Sequence, residues 1–515
     1  MRSTFFGLEI AKRSLFTEQA ALNTTGHNIA NSNTPGYSRQ VVNRVQTPSM
    51  EYPHLNKPAG PGQVGTGVEI TQIYRVREQF LDSQYRNESK TYGEWTSRSD
   101  ILGKVEAIIN EPSSSGIRTV INELWTSFQD LSKTSTPDAA IAARKIVAQR
   151  AVAVAEAFNH QSQQLNELDA DITESIQIKV KTVNAKLEEI QSINVRIKEL
   201  SVLGDIPNDL LDQRDLLVDQ ISRLVDVKVT EANSMYSLTI GGNVVIDANN
   251  AVTTLSETNP VVTGGEIKGL IDAKNIDVAN YKNQLDLLAQ TLATGEVKMK
   301  LENDYTIPNG VSVRGADGTV YNAGIVLPKG TEILVNGLNG LHELGYTMNS
   351  PLETGQAFFV STGGSITAGS IRLNPDMLTN PANIASSMSM YNDGTIDRVV
   401  QGDNSLALMM SNLGNALMTF TDASGTVNTT LEGYFRGIVA EIGVRSETAQ
   451  SNQYNAYVIA SQIDSRRMSV SGVSLDEEMA NMMMFQKAYA AAARALTTMD
   501  EALDVVINRM GLVGR

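Results

Sequence analysis

Apolar heptads at both ends of this chain constrain its architecture more than any other feature. Near the N-terminus Leu8, Leu15, Leu22 and Ile29 recur every seven residues, with Ala11 and Thr25 at intermediate positions. Near the C-terminus Leu475, Met482, Tyr489, Leu496, Leu503 and Met510 do the same, and Phe485, Ala492, Met499 and Val506 form a second stripe. This is a/d spacing, which puts one apolar seam on each helix. A seam from Leu475 to Met510 would make a rod of roughly 50 Å at the usual helical rise, too long to bury itself in a small core. The spacing therefore predicts terminal helices that pair, and whose open positions are completed by other subunits.

The stretch after the first seam is helix-stop chemistry. Gly26-His27-Asn28-Ile29-Ala30-Asn31-Ser32-Asn33-Thr34-Pro35-Gly36-Tyr37 is rich in residues that tolerate left-handed backbone, and Pro35 turns the chain into Gly36. A polar stretch punctuated by Gly and Pro runs on to Gly67, with Val68-Glu69-Ile70-Thr71 alternating as a strand does. Helical period returns from about Tyr74 to Leu224, most clearly in Leu165, Leu168, Ile172, Ile176, Val180, Val183, Leu187 and Ile190. Gly204 and Pro207 end that long helix, and a shorter one follows through Leu210 to Leu224. Short alternating runs begin at Val227, as in Tyr236-Ser237-Leu238-Thr239-Ile240 before Gly241-Gly242. A helical stretch from Gly269 to Leu301 interrupts the strands, and helical spacing resumes from Leu406 through Leu431 to the C-terminal seam.

These textures predict a multidomain α+β chain with paired terminal coiled-coil-like helices, a long discontinuous helical bundle and an inserted β-rich outer domain. The expected boundaries are 1–73 with 475–515, 74–234 with 401–474, and 235–400. At 515 residues and 41% hydrophobic content, cores for several such domains are available. The net charge of −15 argues against nucleic acid or an anionic lipid surface as partner. Neither a membrane span nor a Sec leader is expected, because there is no long apolar run and no charged-then-apolar start. The absence of cysteine removes disulfides, thiolate metal sites and a cysteine nucleophile. It fits both a cytoplasmic chain and one exported unfolded into an oxidising exterior.

Motifs that hint at chemistry lack their context. Gly60-Pro61-Gly62-Gln63-Val64-Gly65 has dinucleotide-binding spacing but no flanking strand and helix. His342-Glu343-Leu344-Gly345-Tyr346 falls one residue short of a zinc-protease signature, with Tyr346 where the second ligand belongs. His27, His54 and His160 lie in separate segments and form no ligand cluster by spacing. No catalytic, cofactor or metal site is expected, although 57 acidic residues leave a carboxylate pair of glycosidase type open. Met482, Met483 and Met484 are read as packing positions facing another subunit.

The block Leu22 to Tyr37 closely resembles the signature shared by bacterial flagellar rod, hook and hook-associated proteins. Ser471-Gly472-Val473-Ser474-Leu475-Asp476-Glu477-Glu478, followed by Phe485-Gln486-Lys487-Ala488-Tyr489, resembles the matching C-terminal signature of that axial family. In the interior, Ser38-Arg39-Gln40, Gly65-Thr66-Gly67-Val68, Arg75-Val76-Arg77-Glu78-Gln79-Phe80-Leu81-Asp82 and Asn208-Asp209-Leu210-Leu211-Asp212-Gln213-Arg214-Asp215 are similar to the hook-associated branch at the proximal junction of hook and filament. The resemblance implies a non-enzymatic structural adapter, exported through the flagellar type III apparatus without a cleaved signal and placed at the extracellular hook–filament junction. The implied partners are copies of itself in the axial assembly, the hook protein, a second junction protein with flagellin-side subunits, and an export chaperone gripping the C-terminal helix. The assembly interface expected on this basis comprises both heptad seams together with Asn31, Pro35, Gly36 and Tyr37. A hook or distal rod protein, and a surface hydrolase housed in the inserted domain, are the rival expectations.

Overall fold

The computed structural model describes residues 5–49, 65–109, 116–232, 234–308, 310–400, 402–422 and 425–509, with backbone alone at 508 and 509. His54, residues 60–64 of the glycine-rich stretch and Met510 lie outside the described residues. In chain order the helices are α1 (Phe6–Ala30), α2 (Gln79–Ile109), α3 (Ile117–Ser132), α4 (Pro137–Val202), α5 (Asn208–Leu224), α6 (Glu266–Asp272), α7 (Ala279–Thr294), α8 (Gly337–Leu344), α9 (Pro375–Thr379), α10 (Ser405–Asn412), α11 (Leu431–Ser471) and α12 (Leu475–Asp504). Among the strands are β1 (Gln40–Gln46), β2 (Val68–Arg75), β3 (Val227–Ala232), β4 (Met235–Ile240), β5 (Asn243–Ile246) and β6 (Glu296–Lys300). The chain divides into two compact units, Met1–Thr96 with Ile176–Gly269 and Asn452–Arg515, and Ser97–Ser175 with Leu270–Ser451. The boundaries fall inside α2, α4, α6 and α11. This partition follows packing, whereas the three-way division drawn above follows texture.

In the first unit α1 and α12 pair. A Cβ placed on Gly7 would meet the Met499 side chain at 3.0 Å, and Asn28 bonds Glu478, so the two helices run antiparallel. β1 and β2 form an antiparallel hairpin in register from Gln40 opposite Arg75 to Gln46 opposite Val68, with an irregularity after Asn43. β3, β4 and β5 make a three-stranded meander. Gly241 and Gly242, with φ of +59° and +83°, supply the left-handed pair that a two-residue hairpin turn requires.

The 66-residue α4 shows why sequence spacing determines so much of this fold. Pro137 opens it, where a missing N–H costs nothing, and Thr136 Oγ1 accepts from Ala139 N. Val147, Val154, Phe158 and Leu165 in the second unit, and Val180, Val183, Leu187 and Ile190 in the first, are all fully buried. Within each group they recur at intervals of three, four or seven residues, the spacing of an apolar stripe along a helix. Gly204, with φ of +90°, ends the turn that follows the helix, where Asp205 N bonds back to Leu200 O.

In the second unit a six-stranded sheet orders residues 425–429, 418–422, 296–300, 332–336, 313–315 and 320–321 side by side, with antiparallel pairing throughout. Here the structure departs from the helical spacing read between Leu406 and Leu431. α10 ends at Asn412, and Met418–Asp422 and Gly425–Thr429 form a hairpin that joins β6. Alternate burial of Met418 and Phe420 among β-branched threonines is strand chemistry, and it overrides the weak helical spacing. Phe128, Phe358 and Phe359 centre this unit's aromatic core, with ring separations of 5.6 and 5.1 Å. Asp277, on a π-helical turn between α6 and α7, accepts both Nε and Nη2 of Arg98 at 2.8 and 3.1 Å and Nη1 of Arg445 at 3.0 Å.

His342, the first residue of the zinc-protease look-alike, is wholly buried on α8. Its Nδ1 lies 2.5 Å from Gln356 O and its Nε2 accepts from Ala385 N at 2.9 Å. A carbonyl needs a donor and an amide needs an acceptor, so the ring is the neutral Nδ1–H tautomer with both nitrogens engaged. Burial lowers its pKa to about 4, and the charge on Arg144 adds to the effect. The folded pKa lies below the unfolded one, so this contribution is complete above about pH 6.5 and is lost as pH falls toward 4. Stability in urea unfolding should fall by about 3 kcal/mol between pH 7 and pH 4 from this group, and His342→Gln should flatten that part of the profile.

Candidate assembly site

The two signature blocks at opposite ends of the sequence interlock in the first unit. Asn28, buried on α1, uses all of its side-chain hydrogen-bonding directions. Its Nδ2 donates to Gln40 O at 2.9 Å and to Glu478 Oε2 at 3.1 Å, while its Oδ1 accepts from Tyr37 OH at 2.8 Å and Gln40 N at 3.0 Å. Glu478 of α12, equally buried, accepts Arg39 Nε at 2.7 Å, and Arg39 N donates to Ser471 O at 2.8 Å. Burial pushes the Tyr37 hydroxyl above its ordinary value, and Asp209, Asp212 and Glu478 push it further, so it stays a donor. Ser474 caps α12 by accepting from Glu477 N at 3.4 Å. Gly36 has φ of +81°, and a Cβ there would lie 2.9 Å from Leu216 Cβ. Only glycine lets the turn sit this close to α5.

The paired surface is built from small residues. On α1 the buried positions are Ala11, Thr17, Glu18, Ala21, Thr24, Thr25 and Asn28, whereas Leu8, Leu15, Leu22 and Ile29 are half-buried. Small side chains let two helix backbones approach, and the leucines are then displaced to the flank. Arg44 of β1 pairs with Glu18 at 3.0 Å and lies over the Phe485 ring at 4.4 Å, joining hairpin, α1 and α12. On α12, Ala492 and Leu503 are buried, Met482, Phe485 and Leu496 are half-buried, and Leu475, Tyr489 and Met499 are exposed. Met479, Met483 and Met484 are more than half exposed, at 57%, 61% and 56%. Tyr454, Tyr457, Val458 and Ile459 continue this exposed apolar character onto α11. Asn31 bonds His27 O at the end of α1 and accepts Thr34 Oγ1, while Pro35 is exposed at the tip of the turn.

Beneath the turn lies a buried cluster that the sequence spacing did not assemble. Asp212, Asp215 and Asp219 share one face of α5. Arg75 Nη1 donates to Asp212 at 2.8 Å and Asp215 at 2.9 Å; Arg86 binds Asp219 at 2.7 Å and Asp215 at 3.2 Å; Arg467 of α11 binds Asp219 at 2.5 Å. Arg77 holds Asp82 through two bonds of 2.7 and 3.0 Å, and Ser38 N donates to Asp212 at 2.9 Å. Burial alone would raise the Asp215 carboxyl, but Arg77, Arg75, Arg86 and the Tyr236 hydroxyl outweigh it and hold it well below the usual carboxylate range. At Asp212 burial wins over Arg75 and Ser38, and its carboxyl is raised. Arg214, with no exposed side chain, lies 3.4 Å over the Tyr236 ring and donates to Ser234 O, Asn194 and Glu231. The signal available in the sequence was carboxylates at i, i+3 and i+7 amid apolar residues, facing an Arg-x-Arg strand end. Among the described residues no group of three or more His, Asp or Glu could hold a metal ion, and no helix is long and apolar enough to cross a membrane.

Comparison with known proteins points the same way along the whole chain. Residues 102–296 match the family described as flagellar hook-associated protein FlgK helical domain; 465–510 match the flagellar basal body rod FlgEFG protein C-terminal family, and 8–37 the flagella basal body rod protein family. The chain is 33% identical over 543 residues to flagellar hook-associated protein 1 of Bacillus subtilis, covering all of both chains. It is 24% identical over 552 residues to the protein of the same name from Escherichia coli, covering 97% of this chain and 98% of that one. Its fold is similar to the flagellar hook junction protein FlgK of Burkholderia pseudomallei, with a TM-score of 0.51 at 17% identity, over 75% of this chain and all of the other. Removing one member of the buried cluster leaves opposite charges uncompensated, so Asp215→Ala should destabilise the chain by about 3–5 kcal/mol in urea unfolding.

Proposed function

The chain belongs to the flagellar hook-associated protein 1 family, and from that premise we propose that it is a non-enzymatic structural adapter in the flagellar axis, joining hook to filament. The apolar face left open on the paired terminal helices is the observation that supports this most. Leu475, Met479 and Met483 recur every four residues along one side of α12 and are exposed, a row of large apolar side chains that is costly to leave in water. Subunit packing would cover them. The partners are then copies of the same chain, the hook protein on one side, and a second junction protein with flagellin-side subunits on the other.

In this proposal residues 1–73 with 475–515 form the assembly domain, 74–234 with 401–474 the bundle and 235–400 the outer domain. The chain travels unfolded through the flagellar type III apparatus without a cleaved signal, to an extracellular position at the junction. An export chaperone would grip the C-terminal amphipathic stretch, whose apolar side otherwise meets water in the cytoplasm. Whole-length similarity to proteins named hook-associated protein 1 favours this over a hook or distal rod protein.

Cosedimentation with isolated, filament-free hooks tests the proposal. The full chain should pellet with hooks, and Met479→Asp combined with Met483→Asp should abolish pelleting while circular dichroism and the unfolding midpoint of the free chain stay unchanged. Both side chains are more than half exposed, so their loss removes little intramolecular packing. Undiminished pelleting of the double variant would exclude this face as the interface.

A further inference from the structure

We propose that the second unit contains a binding site for a small oxyanion, phosphate or carboxylate in chemistry, built around Arg144. This goes beyond the adapter function and is independent of it. Arg144 lies on α4 and is 2% exposed. Its Nε donates to Ile384 O at 2.8 Å and its Nη2 to Ser386 Oγ at 2.6 Å, but its Nη1 is buried without a hydrogen-bond partner. Among the described residues no carboxylate lies within ion-pair distance of it, unlike the buried arginines of the α5 cluster. A buried guanidinium with neutral partners only is electrostatically incomplete.

Arg144 also forms part of the wall of a cavity of about 180 Å³. Thr136 shares that wall and offers a hydroxyl donor, whereas the Thr134 and Ser386 hydroxyls and the Asn404 amide, also in the wall, already donate to Leu131 O, Asn404 Oδ1 and Thr134 O. The first turn of α4 opens beside it at Pro137, and a helix N-terminus favours negative charge. Asp403 is the acidic member of the wall, and its oxygens are already committed. Oδ2 accepts from Ser387 Oγ at 3.0 Å and Met388 N at 3.2 Å, and Oδ1 accepts from Ser405 N at 3.1 Å and Asn303 Nδ2 at 3.2 Å. With four donors on it, this carboxylate repels an incoming anion less than a free one would, and the guanidinium remains without a counter-charge. An anion in the cavity would supply it.

Thermal unfolding of the full chain in inorganic phosphate, and separately in acetate, against chloride at matched ionic strength, tests the site. Phosphate should raise the unfolding midpoint saturably by roughly 5 °C, and Arg144→Met should abolish the rise measured against the variant's own midpoint in chloride. A matching Arg144-dependent rise in acetate would show that a carboxylate also serves, and a rise in phosphate alone would identify a phosphate-type site. No rise in either anion, or an equal rise in the variant, overturns the proposal. Calorimetric titration of phosphate into the native chain decides independently of how the variant folds. One saturable site per chain sustains the proposal, and heats no larger than dilution overturn it.

Discussion

The first unit depends on one face of α5. Asp212, Asp215 and Asp219 receive guanidinium groups from the end of β2, from α2 and from α11, and Asp212 also receives the Ser38 amide from the turn after α1. Segments far apart in sequence are thereby referred to a single helix. Buried ion pairs add little to stability once desolvation is counted, but each fixes a direction and a partner in a way that apolar contact does not. Apolar contact could hold α11 against α5 in several rotations. Arg467 between Asp219 and Asp82 selects one.

That selection propagates to the ends of the chain. Ser471, four residues after Arg467, closes α11 and accepts the Arg39 amide, and Glu478 then reaches Asn28. The direction in which α12 leaves is therefore set by polar bonds at its first turn, before any apolar contact with α1 is made. The remainder of α12 rests on small side chains of α1. At the Asn28 end the pair is held by buried polar bonds, and toward Met499 by the close approach of Gly7. The large apolar residues lie on the flanks and remain available to other molecules.

Much of this was legible in the sequence, and the exceptions have physical causes. The heptads located both terminal helices, Gly241-Gly242 located the β4–β5 turn, and Gly204 with Pro207 located the break between α4 and α5. The leucine stripe of α1 stands out because size dominates any periodicity argument, whereas the positions that α1 buries are mostly small and polar ones. Burial of Thr25 and Asn28 could not be inferred from hydropathy, since their partners come from distant segments. The hairpin at 418–429 was missed because α10 and α11 flank it closely, and its pairing energy comes from β6, more than a hundred residues earlier. The α5 carboxylates stand out as a motif in the sequence, but no local rule indicates that three aspartates on a helix face inward.

The molecule handles buried charge in two ways. Around α5, and at Asp277 between Arg98 and Arg445, each arginine faces a carboxylate, and geometry is fixed by matching opposite charges. Around residues 384–386, Arg144 and His342 hold one strip of backbone from both sides, through Ile384 O and Ala385 N, using neutral partners. The second arrangement is the more responsive one. A cation bonded only to carbonyl and hydroxyl groups, beside an imidazole kept neutral by burial and by that same cation, couples its electrostatics to whatever enters the adjoining cavity. In the first unit charge determines where the ends of the chain point; in the second, an uncompensated charge leaves local stability sensitive to the surrounding solution.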